Sequence, residues 1–127
     1  MINFFLIGLG GALGSVARYL VSGWVQAISR NASFPLGTLT VNVAGCFVIG
    51  FLAQLAEARG VFTSEARALI IIGILGGFTT FSSFGNETFN LAHSGEIMSA
   101  LVNVGANVIL GLLAVWVGHI TAALIWG

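Results

Sequence analysis

Apolar residues fill four long stretches of the chain, approximately residues 4–24, 37–56, 68–91 and 97–126, and polar residues gather in three short links between them. A helix rises about 1.5 Å per residue and a bilayer core is about 30 Å thick, so about 20 mostly apolar residues suffice to cross it. Each stretch is long enough. The pattern predicts four transmembrane helices in a single domain over 1–127. The first stretch lacks a basic start and three more follow it, so it reads as a retained span rather than a signal peptide. The links run around Gln26–Pro35, Glu57–Arg67 and His93–Glu96. Thr63-Ser64-Glu65 predicts a helix start, and Gly95 a tight turn.

Composition strengthens this reading. The chain is 57% apolar and 6% charged, with neither Lys nor Asp, whereas a soluble domain is roughly 25% charged. So few charges cannot build a wetted surface. The expected fold class is an all-α membrane protein, multi-pass in the cell membrane (a bacterial inner membrane), with the lipid bilayer as its surroundings. Net charge is zero, so no nucleic acid partner is expected. Cys46 is the single cysteine, which leaves no intrachain disulfide and no metal-ligand spacing. No nucleophile–base pair or phosphate loop is present, so the chain does not read as an enzyme.

Four spans put both termini on the side of the second link. That side carries Arg59 and Arg67, and the opposite side carries Arg30. Orientation follows the Lys/Arg bias of short loops, and this bias is slight, so insertion in both orientations is expected. Two GxxxG pairs, Gly10/Gly14 and Gly73/Gly77, let helix backbones approach closely in lipid. They fit either tight packing within one subunit or the contact of a homodimer. Together with the slight charge bias they favour an antiparallel homodimer.

Polar side chains within spans are costly and mark either function or pairing. Thr38, Asn42 and Gly45 share one face of the second span, and Asn103, Asn107 and Gly111 repeat that spacing in the fourth. Such stripes serve either as hydrogen-bonding glue between helices or as donors lining an ion path. Arg18 lies about 21 Å along the helix from Phe4. It either snorkels to the interface or supplies a fixed positive charge that draws an anion into a vestibule. Glu87 is placed to cap a helix or pair with an arginine, and Trp116 to pack inside.

The third span carries the most unusual pattern. Residues Ile70–Leu75 read as a plain apolar helix. Gly76-Gly77-Phe78-Thr79-Thr80-Phe81-Ser82-Ser83-Phe84 then follows. Two adjacent glycines weaken a helix by about 1 kcal/mol each, and Thr and Ser side chains compete for backbone hydrogen bonds. A break is expected, with carbonyls exposed near mid-membrane. Non-helical backbone at that depth needs burial in protein or a wet cavity. Freed carbonyls and hydroxyls are hard oxygen ligands, as in transporter sodium sites. Phe81 and Phe84 share a face if the helix resumes. They are either ordinary core or a pair whose electropositive ring edges meet an anion.

Three segments together resemble the Fluc (CrcB) fluoride channel family over essentially the whole chain. They are Gly10-Gly11-Ala12-Leu13-Gly14-Ser15-Val16-Ala17-Arg18-Tyr19, Pro35-Leu36-Gly37-Thr38-Leu39-Thr40-Val41-Asn42, and Gly76 through Phe84. The resemblance implies an antiparallel, dual-topology homodimer of four-helix subunits that passively exports fluoride. It implies two pores at the dimer interface and a central structural sodium ion held by the backbone carbonyls of Gly76 and Thr79. It implies Asn42, Phe81 and Phe84 as pore residues, joined by Thr38, Ser83 and Asn107. Arg18 and Glu87 would stand at the vestibule or behind the pore. The chain departs from the family in having Ser83 where Thr is common and Gly85 where Ser is common. Asn107 and Gly111 stand where serines line the family's polar track. Two other functions compete. A small proton-coupled drug exporter needs a carboxylate in the first span, which has only Arg18. A structural membrane subunit without transport leaves the Asn and Thr stripes as glue.

Overall fold

The computed structural model describes residues 1–31 and 33–127. Among the described residues all regular structure is helical. The first helix is Ile2–Ser29 and the second Leu36–Arg59. The third span is Ser64–His93 and the fourth Ile97–Trp126. All four are long and apolar enough to cross a membrane. The chain is a multi-pass membrane protein.

The helices overrun the apolar stretches because polar residues at their ends are capped rather than looped. The first runs on past Trp24 to Ser29 and stops where Arg30 turns left-handed at φ 57°. Gln26 closes the first link. Its Nε2 donates to the Asn31 and Phe34 carbonyls, at 2.7 and 3.0 Å, and its Oε1 accepts from the N–H of Gly37 at 3.1 Å. That N–H is one of the unpaired donors every helix start carries. Ala32, within this link, lies outside the described residues. The second helix ends on Gly60 at φ 58°, whose N–H caps the Ala56 carbonyl at 2.9 Å. Thr63 caps the third span by accepting from Ala66 N–H at 3.1 Å. Gly95, at φ 88°, makes the last turn.

The first helix packs on the front of the third span, and the second packs on the fourth. Glycine permits the first contact. A Cβ on Gly10 would strike the Leu69 carbonyl and the Gly73 backbone, and one on Gly14 would strike the Ile74 carbonyl. A Cβ on Gly77 would meet the Gly11 backbone. Both GxxxG pairs are therefore spent inside the subunit, so they give no support to a second copy. The other contact is similar: Gly50 faces the Val115 carbonyl and Gly118 the Phe47 carbonyl.

Three local expectations are corrected. Residues Arg67–Leu75 form a π-helix rather than a plain α-helix, and Ala106–Leu110 form another. The first lies just before the extended residues Thr79 and Thr80, and the second contains Asn107; such turns favour functional sites. Trp116 is exposed on the outer surface rather than packed inside. Glu87 pairs with a threonine rather than an arginine.

Candidate functional site

The site is built around two residues. Helical residues 64–78 and Phe81–His93 are joined by Thr79 (φ −90°, ψ 160°) and Thr80 (φ −152°, ψ 124°), both extended. Thr79 N–H still reaches the Leu75 carbonyl at 3.1 Å. Thr80 N–H instead donates to Asn42 Oδ1 at 2.9 Å, and Asn42 Nδ2 donates back to the Thr80 carbonyl at 3.1 Å. The Asn42 amide thus pairs with one residue's backbone as a neighbouring strand would. Thr80 also caps the resumed helix, its Oγ1 accepting from Ser83 N–H at 3.1 Å.

Extended backbone here leaves an acceptor over. Among the described residues no N–H or hydroxyl donates to the carbonyl of Thr79. Backbone carbonyls in a protein almost always find partners; Thr79 is half-buried and Gly76 exposed in the subunit, so backbone oxygen here is free to meet something else.

Asn42 also starts a chain of side-chain amides. Its Nδ2 donates to Asn107 Oδ1 at 3.0 Å. Asn107 Nδ2 donates to the carbonyl and Oδ1 of Asn103, at 2.9 and 3.1 Å. Asn103, only 1% exposed, donates to Thr88 Oγ1 at 2.9 Å, and Thr88 donates to the Phe84 carbonyl at 2.7 Å. The second span, the fourth span and the back of the third are joined by this one seam.

Beside the seam lies a cavity of about 410 Å³, walled by Asn42, Gly76, Thr79, Thr80, Phe81, Phe84 and Asn107 together with apolar residues such as Ile71 and Leu75. Phe81 is 82% exposed and Phe84 only 9%. Their centroids are 5.5 Å apart and the planes meet at 63°, an edge-to-face pair.

Sequence reasoning named ten site residues, and six of them border this cavity: Asn42, Gly76, Thr79, Phe81, Phe84 and Asn107. Thr38 and Glu87 pair with each other instead, Thr38 Oγ1 donating to Glu87 Oε1 at 2.7 Å. Glu87 Oε2 is buried and has no donor among the described residues. Glu87 borders a second cavity of about 260 Å³ with Ser33, Pro35, Asn90 and Glu96. Ser83 contributes its N–H to Thr80 and borders neither cavity. Arg18 lies away from both; its guanidinium makes no hydrogen bond or ion pair with the described residues. Sequence reasoning missed Thr80 and Thr88. Thr80 was visible as a cap, with Ser83 three positions on. Thr88 was visible as a hydroxyl four residues after Phe84, the spacing that returns to a helix carbonyl.

Fold and site together define a four-span membrane protein with extended, partly unpaired backbone held beside a largely apolar cavity that has polar groups in its wall. The chain belongs to the CrcB-like protein, Camphor Resistance (CrcB) family, whose profile matches residues 5–119. It is similar to "Fluoride-specific ion channel FluC 1" of Methanosarcina acetivorans, 45% identical over 96% of this chain and 92% of the relative. It is similar to "Fluoride-specific ion channel FluC" of Geobacter metallireducens, 47% identical over 96% and 98%. The protein of the same name from Parabacteroides distasonis is 51% identical over 94% and 92%. These relatives are ion channels and not enzymes.

Proposed function

We propose that this chain is a fluoride-selective channel that passively exports fluoride across the cell membrane. The observation that carries the reading is near-full-length similarity to proteins named as fluoride-specific channels. The cavity supports it. Fluoride is small and strongly hydrated, so a path for it must offer positive edges and donors without a trapping full charge. Phe81 and Phe84 bring ring edges to the cavity, and Asn42 and Asn107 stand in its wall with their amides joined to Thr80 and to each other; Thr38 and Ser83 would serve the path from outside this cavity. Glu87, at the second cavity, would stand behind this path, and Arg18, away from both cavities, would serve at most a vestibule.

The working form is an antiparallel, dual-topology homodimer with pores at its interface. What supports a second copy is the extended backbone at Thr79 and Thr80, the functional break of the third span. Extended backbone with an unpaired carbonyl oxygen at Thr79 cannot face lipid, and the carbonyls of Gly76 and Thr79 need another subunit to cover them. The same carbonyls fit a structural sodium ion. Gly76 and Thr79 would hold it with hard oxygen atoms. When bound, the ion supplies a fixed positive charge near the path. Replacing sodium with a bulky organic cation is expected to weaken the dimer, read by light scattering. Unchanged mass would remove the sodium from the account. Cysteine labelling at the C-terminus is expected to find it on both sides of the membrane, and labelling on one side alone would contradict dual topology.

The function itself is tested in cells. Expression in a fluoride-sensitive bacterial strain without its own exporter is expected to restore growth in fluoride. Continued sensitivity, with the protein present in the membrane, would contradict the proposal.

A further inference from the structure

Asn42 has two N–H donors, and both are spent within the subunit, on the Thr80 carbonyl and on Asn107 Oδ1. Its oxygen takes the Thr80 N–H. This pairing works only one way round. An amide turned over would present N–H to the Thr80 N–H and oxygen to the Thr80 carbonyl. The two orientations fill nearly the same space, so packing alone does not choose between them.

The Thr80 backbone requires this orientation, and Asn107 reinforces it from the other side. Its Nδ2 faces two acceptors of Asn103, the carbonyl and Oδ1. Only Oδ1 is left to face Asn42, and Asn42 must answer with N–H. Asn103 is fixed in turn. Thr88 gives its one hydrogen to the Phe84 carbonyl and can only accept from Asn103. That directs Asn103 Nδ2 at Thr88 and leaves its Oδ1 for Asn107. The amide directions of Asn103 and Asn107 follow from one helix carbonyl at the far end, and they meet Asn42 in the orientation that the Thr80 backbone requires.

We propose that Asn107, backed by Asn103, is a positioning residue of the channel. It orients the Asn42 amide, and Asn42 so oriented holds the Thr80 peptide extended. The inference rests on the fluoride-channel reading and deepens it: Asn107 acts as an acceptor toward protein rather than as a contact for the ion.

The test compares fluoride efflux from liposomes for the unaltered protein, Asn107→Leu, Asn42→Ala and the double variant, alongside amide hydrogen exchange at Thr80. Each single change is expected to slow efflux roughly ten- to hundredfold, the scale of leaving a buried polar group unpaired. Because the two residues act as a unit, the double variant is expected to be no worse than the worse single one. Exchange at Thr80 is expected to accelerate in Asn107→Leu, while Thr79, bonded to the Leu75 carbonyl, keeps its protection. Losses that multiply, or unchanged exchange at Thr80, would overturn the proposal. Asn107→Ser covers the case in which leucine disturbs folding. Its hydroxyl can back-bond to the Asn103 carbonyl but is too short to reach Asn42, so it must accelerate Thr80 exchange too; unchanged exchange overturns the proposal. If the unaltered protein passes no fluoride, the channel reading fails, and the exchange measurements still decide the positioning role.

Discussion

The two seams of this molecule hold helices together by opposite means. Where the first helix meets the front of the third span, backbone touches backbone, and Gly10, Gly14, Gly73 and Gly77 allow the approach. That seam is steric. Where the second and fourth helices meet the back of the third span, amides and hydroxyls are joined donor to acceptor from Thr80 through Asn42, Asn107, Asn103 and Thr88 to the Phe84 carbonyl. That seam is directional. In lipid no hydrophobic force draws helices together, so close packing and hydrogen bonding are the available means. The steric seam forms a rigid frame. The directional seam fixes individual peptides, and the cavity lies beside it.

The largest effect is expected from adding volume to the steric seam. Gly14→Val would drive a branched side chain into the Ile74 carbonyl and the Phe78 backbone. Neither is a flexible side-chain end, so the cost is expected to exceed about 3 kcal/mol. Size-exclusion chromatography should show loss of monodisperse protein, and a normal profile would mean that the seam can open. Next comes the directional seam. Asn42→Ala leaves Thr80 N–H without its partner and removes the donor to Asn107. At about 1–3 kcal/mol per orphaned buried group, the expected cost is about 2–4 kcal/mol, read by thermal unfolding in detergent. A cost below about 0.5 kcal/mol would show that water replaces the pairing.

The phenylalanines sharpen the contrast within the site. Phe84 is buried and Phe81 is exposed in the subunit. Phe84→Ile is expected to lower subunit stability by about 1–2 kcal/mol, and Phe81→Ile to leave it unchanged. Both are expected to slow fluoride efflux. If both left flux unchanged, the ring-edge path would be wrong. The smallest effect is expected at Gly8, where a Cβ would meet nothing within 4 Å. Gly8→Ala should stabilise the first helix by about 0.5–1 kcal/mol, from propensity alone. Destabilisation there would reveal a contact outside the subunit.

Much of this was legible in the sequence, because the controlling physics is local or one-dimensional. Apolar runs long enough for a bilayer gave the spans, and adjacent glycines followed by threonines marked the place where Thr79 and Thr80 turn extended. The partners of that place were less legible. Asn42 and Asn107 were visible as polar residues in lipid, but spacing leaves glue and path open alike. In the structure both are joined by hydrogen bonds toward the Thr80 peptide, at the wall of the cavity. The glycine pairs were ambiguous for the same reason: GxxxG states that a backbone approaches, not whose backbone it is. Glu87 was legible only as a helix cap or an arginine partner, because charge is read along the chain, whereas Thr38 reaches it through the fold.

The central claim is that the cavity beside the directional seam serves fluoride. The most direct measurement is efflux from liposomes loaded with fluoride and, separately, chloride, following reconstitution of the purified protein. The expected result is rapid loss of fluoride with chloride retained. Equal loss of both anions, or retention of both, would contradict the account.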